Sequence, residues 1–152
     1  MYVCYMKKIL VLSLFAVAAI CGACGKDSIG TKPMLTFLSY SYSPVISSIG
    51  MDVNFQVKDG DGDIENSFNF AAIYDTKPVD TAFESRPMPG VEAHKGTNLT
   101  AEVILHLQPT DFPQTGDQPI LKDSLHYLVF ITDNAGNISD TIVTPKIEVL
   151  YQ

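Results

Sequence analysis

The chain has 152 residues, a formal net charge of −7, three cysteines and no tryptophan. Its length allows one domain plus a targeting segment. The acidic balance argues against a nucleic-acid surface, which needs clustered Lys and Arg, and against electrostatic docking on anionic lipid. Cys4, Cys21 and Cys24 all precede the body of the chain, which excludes a disulfide framework, a thiol nucleophile and a cysteine-ligated metal from the domain.

The chain opens with a leader. Lys7 and Lys8 precede an apolar run over residues 9–20. That run is too short to span a bilayer and has the dimensions of a secretory signal. It ends in Ile20-Cys21-Gly22-Ala23-Cys24-Gly25-Lys26-Asp27. This resembles the bacterial lipobox, in which small residues precede a cysteine that is acylated and becomes the mature N-terminus. Gly22 and Ala23 put Cys24 at that position; Cys21 stands where the family prefers an aliphatic residue. The resemblance implies a signal peptide over residues 1–23, lipidation of Cys24, and a membrane anchor without a spanning helix. Lys26-Asp27 resembles the short charged export signal of Bacteroidota-type surface lipoproteins. It implies an outer-membrane protein facing the cell exterior, with the periplasmic face as the alternative.

Residues 24–33 are expected to form a lipidated polar tether, and residues 34–152 the domain. Residues 34–40 read as a first strand. Residues 40–50 read as a turn region punctuated by Pro44 and Gly50. Over residues 51–57, Met51, Val53, Phe55 and Val57 alternate with Asp52, Asn54 and Gln56. That period of two marks a half-buried strand. A third strand is expected over 68–74. Residues 75–98 carry Pro78, Pro87, Pro89, Gly90 and Gly96, which confine any strand there to an edge; Phe83 and Val91 are expected to pin this stretch down. Residues 99–107 alternate again, with Ala101, Val103, Leu105 and Leu107 on one face. Residues 108–117 form a proline-bearing loop. Residues 125–132 are the most continuously apolar, and are expected to be central and covered on both faces. A tight turn over 133–137 and a last strand through residues 138–150 complete the chain. Short strands with regular turn signals predict an all-β sandwich or barrel.

Asp123-Ser124-Leu125-His126-Tyr127-Leu128-Val129 resembles the run of immunoglobulin domains that carries the tyrosine corner. Val129 stands at the usual cysteine. The resemblance implies an immunoglobulin-like or fibronectin-like β-sandwich of about seven strands, with Tyr127 buried. The turn Asp133-Asn134-Ala135-Gly136-Asn137 is similar to one found in bacterial immunoglobulin-like surface domains.

One stretch carries candidate chemistry. Lys58-Asp59-Gly60-Asp61-Gly62-Asp63-Ile64-Glu65 joins the second and third strands. Hard carboxylates on alternate residues suit Ca²⁺, and the glycines let the backbone fold around an ion. The spacing is not an EF-hand, since Ile64 and Phe70 stand where that motif needs Gly and Glu. Loop placement in an immunoglobulin-like fold implies that Asp133, Asn134 and Asn137 lie at the same end of the domain. The candidate calcium ligands are therefore Asp59, Asp61, Asp63, Asp133 and Asn137. An Asp-Gly turn kept soluble by charge is the alternative.

His94, His106 and His126 lack the spacing of a zinc triad, and no serine sits in a Gly-x-Ser-x-Gly elbow. Asp80-Thr81-Ala82 resembles the acceptor of Bacteroidota-type O-glycosylation, with Thr81 the most accessible of several such triplets. These readings point to a non-catalytic binding or structural module on the cell surface. Its expected partners are the membrane, through the lipid anchor, and an unknown protein or glycan. The alternative is an accessory subunit of a nutrient-uptake or envelope-assembly complex; a small hydrolase fits least.

Overall fold

The computed structural model describes residues 30–76, 82–88, 95–113 and 121–151. The leader, Cys24, Thr81, Val91 and His94 lie outside the described residues. The fold is all-β. Its strands are β1 (Met34–Tyr40), β2 (Val45–Ile46), β3 (Met51–Asp59), β4 (Ser67–Tyr74), β5 (Glu84–Pro87), β6 (Leu99–Leu107), β7 (Lys122–Thr132), β8 (Ile142–Val143) and β9 (Ile147–Leu150). Among the described residues, no helix is long and apolar enough to cross a membrane.

Two sheets form. One has the order β1-β3-β6, the other β2-β9-β7-β4-β5, with β8 also paired to β7. Neighbours are antiparallel except β2 and β9. The β3–β6 register runs without a break from Met51 opposite Leu107 to Asp59 opposite Leu99. The β1–β3 register slips between Phe37 and Ser39, where an extra residue bends an edge strand.

Alternation in sequence becomes the core. Met51, Val53, Phe55 and Val57 of β3 face inward, and so do Leu125, Tyr127, Val129 and Ile131 of β7. The two sheets close on each other through these side chains. Phe55 of one sheet lies 5.3 Å from the Phe68 ring of the other. Each such burial stabilises the fold by about 1.5–3 kcal/mol before chain entropy is counted.

The structure alters several expectations. β3 runs two residues beyond Val57, so Asp59 is a strand residue. The turn region holds a short strand, β2, because Val45 buries its side chain and pairs with Val149. The long irregular stretch contributes β5, an edge strand ending at Pro87. β7 is central, between β9 and β4, but only its inward face is fully covered. Its outer residues are half-buried, and among the described residues Phe83 packs on that face against Phe130, with ring centres 5.1 Å apart. Among the described residues seven strands have four residues or more, β5 among them, and the last strand expected over residues 138–150 is broken into the two-residue β8 and the four-residue β9. His106 and His126 fall in different sheets, on β6 and β7.

Candidate functional site

Parity decides which acids turn inward. On β3 the buried positions are Met51, Val53, Phe55 and Val57, and the next step of two is Asp59. On β7 the inward series Leu125, Tyr127, Val129, Ile131 is followed by Asp133. Asp59 and Asp133 are each 0% exposed. They meet at one end of the domain, where residues 60–66 connect β3 to β4 and residues 133–137 follow β7. Asp61 completes a group. One carboxylate oxygen from each of Asp59, Asp61 and Asp133 lies within 4.8 Å of the others.

Backbone contacts hold this group. Asp59 Oδ2 accepts the Asp63 N–H at 3.1 Å. Gly62 has φ +67°, in the left-handed region that glycine enters without penalty, and so lets the loop reverse between Asp61 and Asp63. The Asn134 N–H bonds the Asp63 carbonyl at 2.8 Å, which sews the two loops together. Asn66 Nδ2 adds a bond to the Asp133 carbonyl at 3.1 Å. Asp133 is gripped by Asn137: the Asn137 N–H donates to Oδ1 at 2.7 Å and Nδ2 to Oδ2 at 2.8 Å.

The remaining oxygens are less well served. Asp59 Oδ1, Asp61 Oδ1 and Asp63 Oδ1 are buried without a hydrogen-bond partner. Burial pushes the Asp59 carboxyl above its ordinary pKa; the Asp63 N–H opposes that shift, while Asp61 and Asp63 add to it. Asp63 is raised by burial first, then by the charges of Asp133 and Asp61, with the Ala135 N–H opposing. Both carboxyls thus sit where the nearby charges are acids.

The chain enters the domain at this same end. Gly60 N–H donates to the Gly30 carbonyl at 3.2 Å. Asn137 Nδ2 also donates to the Thr31 carbonyl at 3.2 Å. Lys32 pairs with Asp140 at 2.6 Å. Asn137 therefore touches both the acidic group and the entry segment.

Of the residues singled out in sequence, the structure brings Asp59, Asp61 and Asp133 together and keeps Asp63 beside them. Asn137 presents its amide nitrogen to Asp133, so it positions a carboxylate rather than offering an oxygen. Sequence reasoning passed over the burial of Asp59, although the β3 alternation extended by one step contained it. It also passed over Asp123, the buried acid at the opposite end of β7. Asp123 is satisfied where Asp59 is not: Thr76 Oγ1 and the Ser124 N–H both bond its carboxylate.

A second feature lies at the far end of β3. Tyr42, Pro44, Ile46, Ile49 and Gly50 line an apolar pocket of about 190 Å³. Tyr42 and Ile49 are 59% and 63% exposed. From Met51 to Asp59 the strand spans roughly 25 Å at ~3.3 Å per residue, so the pocket and the acids occupy opposite ends.

No protein-family model and no curated protein sequence matches the chain. Among solved structures, a mutant of the SrpA adhesin from Streptococcus sanguinis has 19% sequence identity, covering 80% of this chain and 58% of that one, with a TM-score of 0.30. This chain thus spans little more than half of that one.

Proposed function

We propose that the protein is a lipid-anchored, non-catalytic module of the outer membrane, facing the cell exterior, that contacts a protein or glycan partner through its membrane-distal tip. The observation that carries this reading is the opposition of the two ends. The entry segment, at residues 30–32, is bonded beside the acidic loops. A tether running from Cys24 leads into that end. The pocket at Tyr42 and Ile49 then stands farthest from the membrane. An exposed tyrosine over an apolar floor suits a contact surface, because its ring buries much area at little entropic cost.

Strand order supports an immunoglobulin-like sandwich as the scaffold. The equivalents of strands A, B and E would be β1, β3 and β6, and those of G, F and C would be β9, β7 and β4, adjacent in that order. In such a scaffold the loops cluster at two ends, which leaves one for attachment and one for contact.

Two measurements test the reading. Replacing Cys24 with Ser, with Cys21 intact, is expected to abolish incorporation of labelled fatty acid in cells; undiminished labelling would remove the anchor. A photo-cross-linking residue at position 42 is expected to give a discrete adduct on intact cells, and one at position 140 none. Adducts at position 140 alone, or at neither, would overturn the distal contact.

A further inference from the structure

We propose that Asp59, Asp61 and Asp133 are the inner ligands of a Ca²⁺ site, and that the ion fastens the entry segment to the domain. The site stands independently of the distal contact and of acylation at Cys24.

Geometry makes the first argument. Oxygens bound to one Ca²⁺ lie 2.3–2.6 Å from it, so any two are at most about 5 Å apart. The three carboxylates meet that condition, with oxygens no more than 4.8 Å from one another. An octahedral Mg²⁺ site at 2.0–2.1 Å would draw them closer, to about 4.2 Å at most.

Burial makes the second. A cluster of acids on a surface is ordinary, but Asp59 is 0% exposed and its Oδ1 has no donor. A buried charge needs a partner or a metal. Asp123 shows how this chain satisfies a buried acid when no ion is needed: a hydroxyl and a backbone N–H bond it. No such donor reaches Asp59 Oδ1, Asp61 Oδ1 or Asp63 Oδ1. The donor set is all oxygen, which selects a hard cation over zinc or copper. Asp63, whose carboxyl feels the charges of Asp133 and Asp61, adds to the negative potential around the three.

Connectivity makes the third. Asn137 holds both oxygens of Asp133, through its N–H and its side-chain amide. The same amide nitrogen reaches the Thr31 carbonyl. Gly60, between two of the ligands, bonds the Gly30 carbonyl. An ion that draws Asp59, Asp61 and Asp133 together therefore immobilises the two groups that grip residues 30 and 31. Without it, three like charges push the loops apart and loosen that grip. In a tethered protein this joint sets how freely the domain swings on its stalk.

The test uses the full chain in detergent micelles, freed of metal by chelation. Titration with CaCl₂ is expected to give a one-to-one isotherm in the range common for extracellular modules, on the order of 10⁻⁴ to 10⁻³ M. MgCl₂ should bind at least about tenfold more weakly, because Mg²⁺ dehydrates reluctantly. Asp61→Asn, at a partly exposed position that tolerates the change, should weaken Ca²⁺ by about tenfold or more. Nitrogen-15 relaxation then reads the amides of residues 30–32. Ca²⁺ is expected to rigidify them in the natural chain, and Asn137→Ala is expected to abolish that effect while leaving measurable Ca²⁺ binding. The absence of a Ca²⁺ isotherm in the folded natural chain would overturn the site. So would equal binding by Asp61→Asn. Ca²⁺ binding with no change at residues 30–32, or with the same change in Asn137→Ala, would overturn the fastening and leave the site.

Discussion

Asp133 and Asn137 are joined by three hydrogen bonds. The Asn137 N–H and side-chain amide take one carboxylate oxygen each, at 2.7 and 2.8 Å, and the Asp133 N–H donates to the Asn137 carbonyl at 3.0 Å. Four residues apart, the pair closes the turn after β7 on itself and fixes a fully buried carboxylate. Asn137→Ala removes one of the three bonds and strips a donor from a buried charge. The expected loss is about 1–3 kcal/mol, read from the urea midpoint. A loss below a few tenths would mean that the backbone alone holds the turn.

The carboxyls of Asp59 and Asp63 are raised by burial, and neighbouring acids add to the shift. Their folded pKa values thus lie above the unfolded ones. Such a group contributes stability that is fully present below its unfolded pKa, near 4, and lost as pH rises through its folded pKa. In chelator, the cluster is therefore expected to weaken the domain at neutral pH and to weaken it less in mild acid. The comparison is with Asp59→Asn, which cannot ionise. The gain in midpoint from Asp59→Asn should be greatest at pH 7 and shrink as the pH falls toward 4. A gain that stays constant with pH would show that the carboxylate charge is not what weakens the fold.

Gly50 and Gly96 offer a controlled pair. Both have positive φ, +85° and +81°. A Cβ on Gly50 would lie 2.3 Å from the Leu107 carbonyl oxygen, whereas one on Gly96 would meet nothing within 4 Å. Gly96→Ala should cost only the left-handed backbone, about 1 kcal/mol. Gly50→Ala adds a collision with backbone that cannot yield cheaply, so its cost should exceed about 2 kcal/mol. Equal midpoints for the two variants in denaturant would contradict the close approach of residue 50 to β6.

Tyr127 is 2% exposed and lies edge-on to Phe70, with ring centres 6.3 Å apart. Tyr127→Ala should cost about 3–5 kcal/mol through lost burial and the cavity left behind. Ile104, 59% exposed on β6, should lose no more than about 0.5 kcal/mol as Ile104→Ala. Thermal melts of the two variants check the ranking.

What the residues determine locally and what only packing decides can be separated in this chain. The alternation at Met51, Val53, Phe55 and Val57 is enough to announce a strand, because a period of two is a property of extended backbone. The positions of β1, β4 and β6 were legible from their local apolar pattern, and the turn after β7 from its Asp, Asn and Gly residues. The burial of Asp59 is legible too, since one more step of that alternation reaches it, although a charged residue there equally suits the start of a loop. The unpartnered state of its Oδ1 was not legible, because it depends on which donors fail to arrive from elsewhere in the chain. Asp123 carries the same signal, a charged residue at the end of an inward series, and differs only because Thr76 happens to reach it. The strand β2 was not legible because it exists only by pairing with Val149, and the prolines that restrict residues 75–98 to an edge strand do not say that β5 pairs with β4. Alternation places a side chain on a face, but whether a carboxylate there meets a hydroxyl, a backbone N–H or another carboxylate is settled by the order of strands in two sheets. That order brings residues 30, 59 and 133 to one end of the domain, because burying both apolar faces at once admits few arrangements.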